Sequence, residues 1–334
     1  MKLSLYLSEQ SIGYQISLLQ KIGSCQADLQ QFEASISSYR KALELVEKSY
    51  DEQNEKFISY HTLGAIMHNI ATSYEKLNNL KEAIQWYNKS IDMMQKSQDW
   101  PAKNYSIAKT LNSIGTCYQE LGEFQKALDE YYVKAREKLQ GDDQDTRILK
   151  SWLFDNEGLC YYGLGDNEKA LEAFENALAL KDASAEDMPH TLNNIANVLS
   201  VQGKHKEAID KYKESLEKAR ENSGQDAKSV DIAGYLHNIG KEYLFLKDYQ
   251  ESGKWLREGL SMKQSIYGGT NHPETSSTLF LIGVNYREQG YLEKAKKYLK
   301  QAYDMILTCE GNNDGLKSII KRILDEVEEK LRKN

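Results

Sequence analysis

The sequence predicts an all-α solenoid of about seven stacked helix-turn-helix repeats, closed by a C-terminal helix. Three observations predict it. The 334 residues include only 3 Pro against 22 Tyr, and Lys, Glu, Leu, Ala and Gln are plentiful, a composition suited to long helices. A small residue recurs at Gly23, Ala71, Gly115, Gly158, Ala196, Gly240 and Gly283, at spacings of 48, 44, 43, 38, 44 and 43. Seven positions after it, Gly122, Gly165, Gly203 and Gly290 mark a tight turn, with Asn78 as a substitute. Repeats of this length are hairpins that cannot bury an apolar face alone, so they must stack.

The small anchor belongs to the first helix of each repeat. Twelve residues on, in the second helix, stand Ser35, Ala83, Ala127, Ala170, Ala208, Ser252 and Ala295, all small. Two small residues facing each other let the helix backbones approach closely. Larger residues fill the space beside that contact. Three after the anchor come Gln26, Tyr74, Tyr118, Tyr161, Leu199, Tyr243 and Tyr286. About sixteen after it come Tyr39, Tyr87, Tyr131, Phe174, Tyr212, Trp255 and Leu299. The repeats are expected at 8–52, 57–98, 102–140, 145–182, 188–222, 227–266 and 272–310, within one repeat domain over 8–312. The first departs most from the pattern, with Gln26 and Ser35, as suits a terminal repeat with one side in water. Over 314–332, Leu316, Ile319, Ile320, Ile323, Leu324 and Val327 share one helix face. That helix is expected to cap the last repeat; binding a partner is the alternative.

Charge and motifs narrow the function. The formal net charge is −7, which gives no general attraction to nucleic acid or anionic lipid. No run of 18 apolar residues occurs, so no membrane insertion is expected, and the interrupted N-terminal stretch does not read as a secretory signal. The expected location is cytoplasmic. The phosphate-loop, HExxH and GxSxG patterns are absent, and the four cysteines lack zinc-ligand spacing. No enzyme activity, cofactor or metal is expected. Cys25, Cys117 and Cys160 occupy one position in repeats one, three and four, and repeats stack about a helix diameter (~10 Å) apart, too far for a disulfide. The sequons at Asn88 and Asn104 are expected by chance.

The small, Tyr, Gly, small and aromatic residues at these offsets resemble the tetratricopeptide repeat. The longer period and the segment YGGTNHPETSSTL make the chain similar to kinesin light chain repeats. The resemblance implies a right-handed superhelix whose first helices line the concave side. It places the residues six, three and two before the anchor, and one after it, on that side. Two before the anchor stand Asn69, Ser113, Asn156, Asn194 and Asn238, a ladder also found in kinesin light chain and in O-linked N-acetylglucosamine transferase. Asn112, Asn193, Asn197, His68, His237, Lys109 and Lys241 share the concave face, together with Asp155. An Asn amide can pair with both the N–H and the C=O of an extended peptide. The same amides could instead bond the adjacent helix, and both readings stay open. Lys109 and Lys241 suggest a peptide carrying one or two acidic groups. Phe280, Leu281 and Val284 make the seventh-repeat end apolar, for the C-terminal helix or for a partner. No Lys stands three before any anchor, which argues against the family's chaperone-tail clamp.

The expected function is therefore a non-catalytic scaffold or adaptor binding an extended segment of a partner protein. A peptide-responsive regulator of the bacterial pheromone-receptor type is one alternative. An oligomeric scaffold acting through its convex face or C-terminal helix is the other. The oligomeric state is not legible in the sequence.

Overall fold

A computed structural model describes residues 2–49, 60–96, 102–182, 185–224, 227–309, 311 and 313–333. All regular elements among them are helices, and they form two compact units, Met1–Leu180 and Lys181–Asn334. The N-terminal unit holds four antiparallel hairpins: α1 (Lys2–Asp28) with α2 (Phe32–Ser49), α3 (Tyr60–Lys76) with α4 (Leu80–Lys96), α5 (Ala102–Glu120) with α6 (124–138), and α7 (Gln144–Gly163) with α8 (Asn167–Leu180). The C-terminal unit holds three more: α9 (Met188–Val201) with α10 (His205–Ser223), α11 (Val230–Phe245) with α12 (Tyr249–Ile266), and α13 (Pro273–Glu288) with α14 (Leu292–Thr308). The final helix, α15 (Asp314–Lys333), follows them.

Every hairpin turn is made the same way. The residue seven after each anchor has a left-handed backbone, with φ between 75° and 82° at Gly122, Gly165, Gly203 and Gly290. Gln30, Asn78 and Lys247 hold the same conformation at 57–60°, at positions where a side chain is disfavoured. In the third hairpin the Gly122 N–H donates to Gln119 O (2.9 Å) and the Glu123 N–H to Tyr118 O (2.9 Å). These bonds satisfy the last carbonyls of the first helix and reverse the chain.

The anchors do the packing that their size suggests. A Cβ on Gly158 would lie 2.6 Å from the Phe174 ring, and one on Gly115 would lie 2.3 Å from Tyr132. Tyr87, Tyr132, Phe174 and Tyr212 are fully buried. Two members of the expected aromatic series need correction. In the third repeat Tyr132, not Tyr131, fills the slot beneath the anchor, because α6 carries a π-helical stretch at Ala127–Tyr132. The wider turn accommodates one extra residue between the small contact at Ala127 and the buried ring. Tyr131 is displaced to the surface side, where it stacks on Tyr118 with centroids 5.0 Å apart. In the sixth repeat Leu256, not Trp255, packs on Gly240. Leu256 is sixteen residues after the anchor, while Trp255 is half-buried.

Two further features belong to the C-terminal unit. The His-Pro linker is ordered: His272 accepts the Glu274 N–H (3.3 Å) as the cap of α13 and stacks on Tyr267 (3.8 Å). Lys263, 3% exposed, donates to Glu274 O (3.3 Å) and lies 3.5 Å from its carboxylate. At the end of the stack, Ile323, Leu324 and Val327 of α15 form one cluster with Leu299, and Phe280 and Val284 pack against it. Leu281 packs against the neighbouring cluster, which contains Ile320. The apolar groove end expected from the sequence is thus filled by the chain's own last helix.

Candidate recognition surface on the first helices

Asn69, Ser113, Asn156, Asn194 and Asn238, two before their anchors, are all half-buried on the first helices. The Asn156 amide donates to Asn112 Oδ1 (2.9 Å) in the N-terminal unit. Asn238 donates to Asn193 Oδ1 (3.2 Å) in the C-terminal unit. In both cases the two-before Asn of one repeat reaches the three-before Asn of the preceding one. Asn69 meets the Tyr39 hydroxyl and Ser113 that of Tyr87, again one repeat back. Ser113 also back-bonds to Lys109 O (3.3 Å). Asn194 makes no side-chain hydrogen bond among the described residues. Asn156 and Asn238 therefore take part in joining adjacent repeats. An amide carries two N–H groups and an acceptor oxygen, so one such bond leaves polar capacity over.

The histidines have a shared environment in different units. His68 Nδ1 lies 3.0 Å from Thr110 Oγ1, and His237 Nδ1 lies 2.9 Å from Thr278 Oγ1. Both threonine hydroxyls donate to the carbonyl four residues back, at Ser106 and Glu274. Each hydroxyl has one proton, so the imidazole is the donor at Nδ1 and Nε2 is left as a bare acceptor. Burial, aided by Lys109, pushes the His68 pKa down to about 4. Burial, aided by Lys263 and Lys241, pushes that of His237 to about 3. Both imidazoles are neutral at pH 7.

The structure brings His61, Ala65, His68, Asn69 and Lys109 together around a recess of about 140 Å³ between α3 and α5. Lys109 is exposed there. Lys241 is placed differently: its Nζ lies 3.6 Å from Oε1 of Glu242, a fully buried carboxylate. Glu242 also accepts from Ser200 (2.7 Å) and faces His205 Nδ1 (2.7 Å). Part of the Lys241 charge is thus committed inside the protein. Among the described residues no group of three or more His, Cys, Asp or Glu could hold a metal ion.

One row has a role that sequence reasoning missed. In two repeats the residue after the anchor bonds the buried tyrosine of its own repeat: Thr72 with Tyr87 (3.1 Å) and Asn197 with Tyr212 (2.6 Å), while Ser24 and Thr116 stand at the same position beside Tyr39 and Tyr132. Where the buried residue is Phe174, Leu256 or Leu299, the residue after the anchor is Leu159, Lys241 or Val284. A buried hydroxyl needs a partner, and where the hydroxyl is missing the partner is missing too. That internal pairing was readable by comparing the repeats with one another. It gives Asn197 a structural bond through Oδ1.

Comparison with known proteins agrees with the architecture. The tetratricopeptide repeat pattern matches residues 14–96, 106–183, 187–265 and 231–307. Response regulator aspartate phosphatase A of Bacillus subtilis is 30% identical over 115 residues, which are 34% of this chain and 30% of that protein. Outer dynein arm-docking complex subunit 4 of Xenopus laevis is 27% identical over 201 residues, 58% of this chain and 35% of that one. The chain thus spans about a third of the length of these relatives. The apo form of the quorum sensor NprR from B. thuringiensis superposes with a TM-score of 0.66 at 16% identity, covering 87% of this chain and 76% of that one. At that identity the likeness is one of fold. With the repeat pattern matched along most of its length and the anchors, turns and buried rings in place, the chain belongs to the tetratricopeptide repeat family.

Proposed function

We propose that the chain is a non-catalytic adaptor that holds an extended segment of a partner protein along the first helices of its repeats. Repeats of this family mediate protein–protein interactions. The finer reading rests on one observation, the recess lined by His68, Asn69 and Lys109, in which Asn69 is one of the half-buried residues two before the anchors. Amides with spare donors can bind peptide backbone, while Lys109 favours an acidic group in the segment. Asn156 and Asn194 are the backbone contacts to test first, with Asn69, Asn112, Asn193 and Asn238 beside them. The partner is expected to be a protein or peptide, not nucleic acid, in a cytoplasmic setting.

The test is affinity capture from lysate with wild type and the Asn156→Ala/Asn194→Ala variant, both checked for helicity. Partners lost by the variant support the groove, and identical partner lists refute it. The 30% identity to a response regulator phosphatase favours a second reading, a peptide-responsive regulator of the bacterial pheromone type. Tight, saturable binding of a short secreted peptide would select that reading.

A further inference from the structure

A second, larger cavity of about 450 Å³ lies in the N-terminal unit, where the starts of α3, α5 and α7 meet the end of α6. His61 and Ser106 line both this cavity and the recess beside Lys109, so the two adjoin. They hold each other at 2.9 Å. One residue in the wall is out of place. Asn104 is 8% exposed, its side chain has no hydrogen-bond partner among the described residues, and it lines the cavity. Its amide opens into the cavity, where a ligand can meet both the oxygen and the N–H groups.

The surroundings set the charge of that ligand. Asp143 and Asp145 line the cavity. Asp143 spends its two oxygens on Thr146, accepting from its N–H (3.0 Å) and its hydroxyl (2.7 Å) as the cap of α7. Asp145 is exposed and in no ion pair among the described residues. The last turn of α6 ends at the same cavity, and a helix C-terminus favours cations. The opposing charge is Lys138, an exposed side chain on the rim. Burial and then the carboxylates of Asp145 and Asp143 push the Tyr105 phenol pKa up. Leu139, 8% exposed, gives an apolar surface against which an alkyl stem can lie.

We infer that this cavity receives a cationic side chain of the bound segment, an arginine guanidinium in its best-fitting form, between Asp145 and the Asn104 amide. The inference rests on the peptide-binding reading above, and extends it: the partner segment carries a basic residue near the acidic one that Lys109 selects. A guanidinium offers five N–H donors in a plane, which suits a carboxylate and an amide oxygen together.

The test uses NMR of the full chain, following the Asn104 side-chain amide and the Tyr105 and Thr146 backbone amides. The probe is Nα-acetyl-L-arginine amide, with the glutamate and glutamine analogues as controls. The expected result is a saturable shift with the arginine probe alone, weakened about fivefold in Asp145→Asn. Asn104→Leu, which removes the unpartnered amide while keeping an apolar wall, is expected to fold normally and to lose the shift. No saturation by the arginine probe, equal binding of the glutamate probe, or an unchanged response in Asp145→Asn each overturn the inference. These outcomes are separate from the Asn156→Ala/Asn194→Ala test. A chain that captures partners through its asparagines yet ignores the arginine probe refutes the cavity and leaves the groove standing.

Discussion

Lys247→Gly is expected to stabilise the C-terminal unit. Lys247 has a φ of 60° at the turn between α11 and α12, and its side chain is exposed. Its N–H donates to Leu244 O (3.0 Å) and the next N–H to Tyr243 O (3.0 Å). Gly203, in the turn between α9 and α10 of the same unit, has a φ of 75° and the same two bonds, to Ser200 O (3.0 Å) and Leu199 O (2.9 Å). The two turns share this backbone geometry, and only the first carries a Cβ at the left-handed position. A left-handed backbone costs a non-glycine residue about 1–2 kcal/mol. Glycine gives back about 0.4–1 kcal/mol through the greater freedom of the unfolded chain. Lys247→Gly therefore gains roughly 0.5–1 kcal/mol. Gly203→Ala loses a similar amount, and no steric clash complicates it, because nothing lies within 4 Å of the added Cβ. The assay is urea unfolding followed by circular dichroism, supported by hydrogen exchange at the amides flanking each turn. Exchange matters because repeat arrays unfold in parts rather than all at once. A neutral or destabilising Lys247→Gly, beside a harmless Gly203→Ala, would refute the idea that backbone strain governs these turns.

Other outcomes follow from buried groups. His68 and His237 bind fewer protons folded than unfolded, so stability is full above the ordinary histidine pKa of 6.5 and falls as pH drops toward about 4 and about 3. Each contributes a slope of at most ~1.4 kcal/mol per pH unit, and His68→Gln should flatten its share. Glu75 and Glu157, whose pKa values burial raises above 4.5, act in the opposite direction at the acid end. An imidazole titrating near 6.5 by NMR would refute the assignment. Thiol labelling should find Cys25 reactive in the native protein and Cys117 and Cys160 silent until unfolding. The latter two are fully buried, and burial followed by Glu157 pushes Cys160 up to about 12. Val327→Asp puts a carboxylate at a fully buried position under α15 and is expected to cost about 3 kcal/mol, read as lost protection around Leu299. Retained protection would mean that α15 contributes little to the last hairpin.

The site was partly legible in the sequence. The ladder Asn69, Asn156, Asn194 and Asn238 stood out because a helix interior seldom tolerates so many asparagines at one position. Its bonding between repeats was not legible, because the bonds from Asn156 to Asn112 and from Asn238 to Asn193 cross between repeats 44 and 45 residues apart. The unpartnered Asn104 was also hidden, since it read as an incidental sequon. Its burial depends on four helix ends converging on one cavity.

The sequence by itself determined the hairpins. Small anchors, turn residues and buried rings are local choices repeated at a fixed period, and each constrains the backbone within about one repeat length. It also determined where hydroxyls would be buried, since Ser24, Thr72, Thr116 and Asn197 accompany tyrosines and Leu159 and Val284 do not. Tertiary structure alone decided the exceptions. A π turn in α6 exchanged Tyr131 for Tyr132, because the ring that fits beneath Gly115 is chosen by packing in three dimensions. Glu242 acquired Ser200 and His205 as partners, and Phe280 and Val284 acquired α15, for the same reason. Spacing fixes which residues share a helix face, but only the approach of other helices fixes what that face meets.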